Sequence, residues 1–335
     1  MHTEPHHIKR EPENQDTTCL KKQRNLPAHR PKFTPVTMPP MDPEFRRTWL
    51  FGPGADPAAH EAMLASPADA LIADLEDFTP PQRRPQAREG ISALLASWRT
   101  AGKVAVVRIN DLATDGLVDL NAAMPGRPHV VAYPMATSSE QMRTLDEAIT
   151  GIERNLGIAL GTTEILPVCE TALGVVDVRS IVAGSARIRC ALLGAEDLAS
   201  DLCAERQPDA NELDYARRRF ILECRAARVE PIDAPYTFTD AEGAFKEAHC
   251  SLRLGYRSKS LVRPDHAKSI NAALTPSDEE VRRASAMVIA FEAARARGED
   301  RALVEGLWVE VPTYRNALRT LERAKRLASG YQTRH

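Results

Sequence analysis

The sequence is poor in the features that mark specialised protein classes. Aromatic residues make up only 5% of 335 positions, and the net charge is −2, from 44 basic and 46 acidic side chains. Near-balanced charge argues against a surface built for nucleic acid or an anionic membrane, while leaving room for a local basic pocket. No apolar stretch reaches the roughly 20 residues of a membrane-spanning helix. The N-terminus is polar and His-rich and lacks the apolar core of a signal peptide. Six cysteines stand at 19, 169, 190, 203, 224 and 250 without a C-x-x-C pair. That spacing argues against a disulfide framework and fits reduced thiols in a cytoplasm. The first apolar run leads into Phe51-Gly52-Pro53-Gly54-Ala55-Asp56, which is neither G-x-G-x-x-G nor a phosphate-binding P-loop.

What is present is an ordinary globular composition, 43% hydrophobic and 27% charged. Residues 1–44 are rich in Pro, Gln, Asn, His, Lys and Glu, have no apolar period and are expected to form a disordered tail. From Arg47 onward, strand-like runs fall at Thr48–Phe51, Ala70–Leu75, Val104–Ile109, Val130–Met135, Ile165–Cys169, Ile188–Leu193, Val229–Asp233 and Ser260–Arg263. Helical periods separate them, as at Glu140–Asn155, Glu212–Arg228 and Ala241–Leu254. Eight strands alternating with helices predict a (β/α)8 TIM barrel over 45–275, with an open doubly wound sheet as the alternative. Residues 276–335 read as C-terminal helices, a lid or an oligomer contact. Ser277 and Glu280 predict a capping box, and a short segment, Ala302–Pro312, precedes a last amphipathic helix.

Chemistry concentrates at the strand ends. Ile165-Leu166-Pro167-Val168-Cys169 closes on Glu170, and Ala191-Leu192-Leu193-Gly194-Ala195 leads to Glu196-Asp197. Asp74-Leu75-Glu76-Asp77, Arg108-Ile109-Asn110 and Lys259…Arg263 end three other strands. In a parallel barrel such ends converge on one mouth, where ligands bind. Glu170 and Asp197, with no Cys or His pair nearby, suit a hard cation such as Mg2+. The competing reading is a set of acids that cap helices or pair with arginines.

In these stretches the chain resembles the HpcH/HpaI aldolase and citrate lyase beta-subunit family. The matching segments are Arg47–Gly54, Asp74–Asp77 with Ala87-Arg88-Glu89, Val107–Asn110, Pro167–Thr171 and Gly194–Leu198, followed by Lys259, Pro264, Asn271, Thr275 and Pro276. The resemblance implies a Mg2+-dependent barrel lyase. Glu170 and Asp197 match the metal ligands, and Arg108, together with Glu170, the substrate-binding position. It further implies a homo-oligomer, a trimer or hexamer, whose C-terminal segment closes over a neighbouring mouth and supplies an acid.

Departures from the family pattern bear on the substrate. Arg263-Pro264, with His266 two places on, replaces the usual His-Pro, and Glu310 stands where the lid usually carries Asp. Arg84 replaces a Lys. Arg47, Arg84 and Arg88 are the candidates for coenzyme A phosphates, against a solvated helix face for Arg84 and Arg88. The expected reaction is cleavage or formation of a malyl-, citramalyl- or citryl-CoA-type thioester from acetyl-CoA and a 2-oxo acid through an enolate, with Arg108 and Glu310 catalytic. The alternatives are a coenzyme A-independent aldolase on a 2-oxo-4-hydroxy acid, a malyl-CoA-type thioesterase, and an inactive lyase-like subunit.

Overall fold

The structure, a computed structural model, describes residues 41–332. The expected tail falls outside the described residues up to position 40. Eight strands, β1 Thr48–Pro53, β2 Ala70–Asp74, β3 Val104–Arg108, β4 Val130–Tyr133, β5 Glu164–Cys169, β6 Cys190–Leu193, β7 Glu230–Tyr236 and β8 Lys259–Leu261, close into a parallel barrel in chain order. The helices are α1 Pro57–Ala65, α2 Arg84–Thr100, α3 Gly116–Ala123, α4 Ser139–Asn155, α5 Ala172–Val176, α6 Val178–Val182, α7 Glu196–Asp201, α8 Asp214–Ala227, α9 Ala241–Leu254 and α10 Ala267–Ala273.

Strand periodicity sorts the core into two layers. Trp49, Phe51, Ala70, Ile72, Val104, Val106, Leu166, Val168, Cys190 and Leu192 fill the barrel interior as one cluster. Their alternates, among them Leu50, Leu71, Ala105, Val107, Val131, Ile165 and Leu193, pack in a second cluster with the helices. Side chains on a strand point to opposite faces with period two, and both faces of most strands are apolar, so these read as unbroken runs; β7 and β8 carry Asp233 and Lys259 as well. Each fully buried aliphatic contributes roughly 1.5–3 kcal/mol. A charge at an interior position such as Val106 would have no partner there.

Helix ends follow local chemistry. Ser138 caps α4 and Gln141 reaches back to it, a capping box. Asp240 caps α9, which ends at Gly255 with φ 105°.

Beyond the barrel lie α11 Asp278–Ala296, a two-stranded hairpin of β9 Ala302–Val304 and β10 Leu307–Val309, and α12 Val311–Gln332. The predicted Ser277–Glu280 capping box starts α11. The hairpin replaces what reads in sequence as a short connecting segment. Its two-residue turn, Glu305-Gly306, has both φ positive, at 49° and 78°, the requirement of the tight primed turn. Ala284, Met287, Phe291, Ala294, Ala302, Val309 and Ala317 form a core of their own. Arg323 fastens α12 to the amino-terminal end of the barrel by donating to the carbonyls of Glu44, Arg257 and Leu274.

Candidate active site

The interior layer predicts which side chains crown the mouth. Interior positions on β2 are 70 and 72, on β3 104 and 106, on β5 166 and 168, and on β6 190 and 192. Two residues further on come Asp74, Arg108, Glu170 and Gly194. The period of two therefore aims three charged side chains at the carboxyl-terminal mouth and places a glycine beside them.

Arg108 is 5% exposed. Its Nε donates to Asp74 Oδ1 at 2.8 Å and its Nη2 to Asp74 Oδ2 at 2.5 Å, a two-point grip that fixes the guanidinium plane. Glu76 Oε2 lies 2.8 Å from Arg108 Nη1, yet no hydrogen bond reaches that buried oxygen. Asp77 stands 3.8 Å from Nη2, and the guanidinium lies over the Phe51 ring at 5.2 Å. Asp74 is itself held by the backbone N–H groups of Glu76 and Phe78. These partners stabilise the Arg108 cation strongly against its own burial.

Glu170 is 3% exposed and accepts from Met135 N–H at 2.8 Å. A Cβ on residue 194 would stand 2.5 Å from Glu170 Cβ and 2.7 Å from Oε2, so glycine is required there for the carboxylate to take its place. Asp197 follows in the first turn of α7 and is exposed.

Negative charge accumulates in this mouth. Burial pushes the Glu170 carboxyl up to about 8, against the pull of Arg108 and the Met135 N–H, with Asp197 and Glu76 adding to the rise. Burial likewise pushes Glu76 to about 7, opposed by Arg108 and reinforced by Asp77, Asp74 and Asp197. Asp77 is raised for the same reasons. Five carboxylates thus surround one guanidinium, and a cation would relieve them. Among the described residues no three His, Cys, Asp or Glu side chains converge on one ion position. Two carboxylates with no soft ligand fit Mg2+, which binds through one or two protein carboxylates and fills its remaining positions with water or substrate oxygens. Glu170 and Asp197 are the pair that could hold it.

Not every strand-end charge joins the mouth. Arg47 precedes β1, at the opposite end of the barrel, where its Nε and Nη2 donate to Asp69 at 2.9 and 3.0 Å; this corrects its expected place at the coenzyme site. Lys259 is fully buried on the outer face, between Asp233 at 3.3 Å and Glu247 at 2.8 Å. Arg88 is occupied by Asp119 and Asp115, each at 2.7 Å. Arg84 is held loosely, by carbonyls at 3.3 and 3.4 Å and by Asp115 at 3.8 Å. Arg263 is half-buried and pairs with Asp265 at 2.9 Å. His266 is buried against Tyr236, its Nδ1 without a hydrogen-bond partner among the described residues. Glu310 is exposed at the start of α12, and no hydrogen bond or ion pair among the described residues links it to Arg108, Glu170 or Asp197. Asp74 and Gly194 are the positions sequence reasoning gave no role; the interior period supplies the signal for both.

Comparison with known proteins shows the family. The family described as HpcH/HpaI aldolase/citrate lyase matches residues 47–264, the stretch that carries Asp74, Arg108, Glu170 and Asp197. The chain belongs to that family. Citrate lyase subunit beta of Leuconostoc mesenteroides subsp. cremoris is 31% identical over 281 residues, covering 83% of this chain and 93% of the relative. The L-malyl-CoA/beta-methylmalyl-CoA lyase of Cereibacter sphaeroides is 30% identical over 304 residues, covering 83% and 94%. Among solved structures, protein CitE from Mycobacterium tuberculosis in complex with magnesium, acetoacetate and coenzyme A is 25% identical with a TM-score of 0.65, covering 83% of this chain and 98% of that one. The HpcH/HpaI match ends before α11, so the hairpin and α12 lie outside it.

Proposed function

We propose that this chain is a Mg2+-dependent carbon–carbon lyase that cleaves or forms a hydroxyacyl-CoA of malyl-, citramalyl- or citryl-CoA type, with acetyl-CoA and a 2-oxo acid on the other side. The observation that carries the reading is the placement of Glu170, Asp197 and a locked Arg108 in one mouth with a surplus of negative charge. The names of the citrate lyase and malyl-CoA lyase relatives, and the magnesium and coenzyme A bound by the mycobacterial protein, support it.

Glu170 and Asp197 would hold Mg2+, which supplies Lewis-acid polarisation of a substrate carbonyl or alkoxide oxygen. Arg108 binds a carboxylate or carbonyl oxygen of the substrate. Asp74 keeps the guanidinium in one orientation before substrate arrives, so that alignment costs nothing at the moment of reaction. In the cleavage direction the substrate hydroxyl releases its proton to solvent as its carbon becomes the carbonyl of the 2-oxo acid; the electron pair of the broken C–C bond goes to the acetyl carbon beside the thioester, as an enolate, and that carbon then takes a proton. Glu310 is the proposed donor, from a second copy of the chain. The hairpin beside it exposes Leu303 at 58% and Trp308 at 50%, surface that a neighbouring subunit of a trimer or hexamer would cover. Arg84 is the arginine best placed to meet a coenzyme phosphate, since Arg88 is already paired. We place the enzyme in the cytoplasm; the five described cysteines are all free thiols.

One observation favours a second reading, an aldolase on a free 2-oxo-4-hydroxy acid. Of the three arginines expected at the coenzyme, only Arg84 remains loosely held. The test is a panel of hydroxyacyl-CoA thioesters with Mg2+, following acetyl-CoA and 2-oxo acid release. No turnover of any thioester, with pyruvate released from a 4-hydroxy-2-oxo acid, would move the assignment to the aldolase. Glu170→Ala and Asp197→Ala should each abolish metal-dependent turnover while leaving the circular dichroism unchanged.

A further inference from the structure

At the end of the barrel away from the mouth, a cleft of about 700 Å3 separates the barrel from α12. Its lining carries four arginines and four glutamates. Most of the acids are already committed. Glu230 pairs with Arg225, Glu322 with Arg326 at 2.9 Å, and Glu280 accepts from Ser277 N–H at 2.8 Å in the α11 cap. Arg257, Arg319 and Arg323 remain, with Glu44 and the charge of Glu280, which an N–H does not neutralise.

None of these three arginines has a carboxylate partner among the described residues. Arg323 is 8% exposed, and its nitrogens donate only to backbone carbonyls. Arg257 donates only to the carbonyls of Leu252 and Tyr256, and Arg319 only to Asn316 Oδ1 at 3.1 Å. Burial and mutual repulsion weaken the hold of the buried cations on their protons: Arg323 is pushed down to about 10 by burial, then by Arg257 and Arg47, and Arg257 is lowered by burial and by Arg225. Glu44 is pushed up, chiefly by burial. Three guanidinium groups against two acids, Glu44 and Glu280, leave a local excess of one positive charge, Glu280 and the paired Glu230 both acting on Arg257. A buried cation without a carboxylate, such as Arg323, is costly, and a dianion would set one charge against each of the two more open guanidinium groups that line the cleft, half-buried Arg257 and exposed Arg319.

We propose that this cleft binds a small dianion, a dicarboxylate or a phosphate, on Arg257 and Arg319 with Arg323 as the charge behind them. Arg257 stands two residues before β8, while Arg319 and Arg323 belong to α12. The anion would therefore bridge the barrel and the C-terminal helix, and its binding stabilises their docking. Planar carboxylates and phosphates both suit the guanidinium fork.

The full-length protein, treated with EDTA so that no metal aids binding in the mouth, is titrated with inorganic phosphate, malonate and, as the monoanion control, acetate. Thermal unfolding and calorimetry are the readouts. The expected result is saturable stabilisation by phosphate, malonate or both, and none by acetate. Phosphate alone identifies a phosphate site, malonate alone a dicarboxylate site. Arg257→Gln and Arg319→Gln should each weaken binding by about tenfold or more, since each removes a charge-assisted contact. Arg323 is left intact because it holds three carbonyls. Equal stabilisation by acetate, no stabilisation by either dianion, or undiminished binding in both variants would overturn the proposal. The lyase reading plays no part in this experiment.

Discussion

Two clusters of buried charge in this barrel look alike in sequence and behave in opposite ways. Between β7, β8 and the helices outside them, Asp233 and Glu247 meet Arg217 and Lys259, two acids against two bases. Ser251 adds a hydroxyl to Asp233. The Asp233 carboxyl is held well below the usual range by Arg217 and Lys259, despite complete burial that alone would raise it. In the mouth, Asp74, Glu76, Asp77, Glu170 and Asp197 share Arg108, and Glu170 and Glu76 are pushed up instead. Burial of charge is common to both, so it does not mark a site. Imbalance does: the outer network sets two acids against two bases, while the mouth sets five acids against one and would be completed by something that binds.

The largest test of that contrast is Asp233→Asn. It leaves Arg217 and Lys259 buried with Glu247 alone, and breaking such a pair costs about 3–5 kcal/mol. Urea unfolding should show that loss at neutral pH. A variant as stable as the wild type would mean that the outer network is not balanced by its own members.

Glu170→Gln should act with the opposite sign. The folded-state value near 8 exceeds the ordinary 4.5, so the native state holds this proton more tightly than the unfolded chain. The stability this contributes is full below about pH 4.5 and is lost as pH rises through about 8. In metal-free buffer at pH 8.5 the variant is therefore expected to be more stable than wild type by on the order of 2 kcal/mol, and equal to it at pH 5. The same variant should lose Mg2+-dependent turnover by at least about a thousandfold. A destabilised variant at pH 8.5 would remove the claim of imbalance.

The barrel was legible because most strands are apolar on both faces and so appear as apolar runs. The edges shifted for local reasons. β6 begins at Cys190, because Ile188 makes only an isolated bridge to Ile165. β7 continues past Asp233 to Tyr236 through Pro235, a residue that discourages a strand assignment. The mouth was legible as a set of strand-end charges, but a one-residue change of parity decides which face each charge takes. Asp74, Arg108 and Glu170 continue the interior series, whereas Asp233 and Lys259 fall on the outer face. Arg47 shares the strand-flanking pattern and lies at the wrong end, because it comes before its strand and not after it. The hairpin escaped notice because three-residue strands carry almost no periodicity; Gly306 was the one local signal.

A smaller effect is expected at Asp74→Asn, which sharpens the role of Arg108 within the mouth. The change removes the charge that orients the guanidinium; Glu76 and Phe78 N–H reach different carboxylate oxygens, so the amide oxygen keeps one of these two caps. One carboxylate fewer also lessens the imbalance, so the fold should not suffer. Turnover should fall by about ten- to a hundredfold through loss of orientation, with KM for the substrate rising less than kcat falls. A variant that unfolds, or one whose kcat is unchanged, would place Asp74 in the structural class with Asp233.

The smallest effect separates the two clusters most directly, because it needs no mutation. Mg2+ must displace the proton that burial holds on Glu170, so its affinity rises with pH until the carboxyl is ionised near 8. At a fixed Mg2+ concentration the gain in thermal stability should be greater at pH 8.5 than at pH 6, by on the order of 1 kcal/mol. The outer network has no part in this, since Asp233 is already fully charged across that range. Asp233 variants that remain folded should therefore show the same pH-dependent response, and Glu170→Gln should show none. A Mg2+ response that is flat between pH 6 and 8.5 would mean that the ion does not sit on the carboxylate whose burial makes the mouth incomplete.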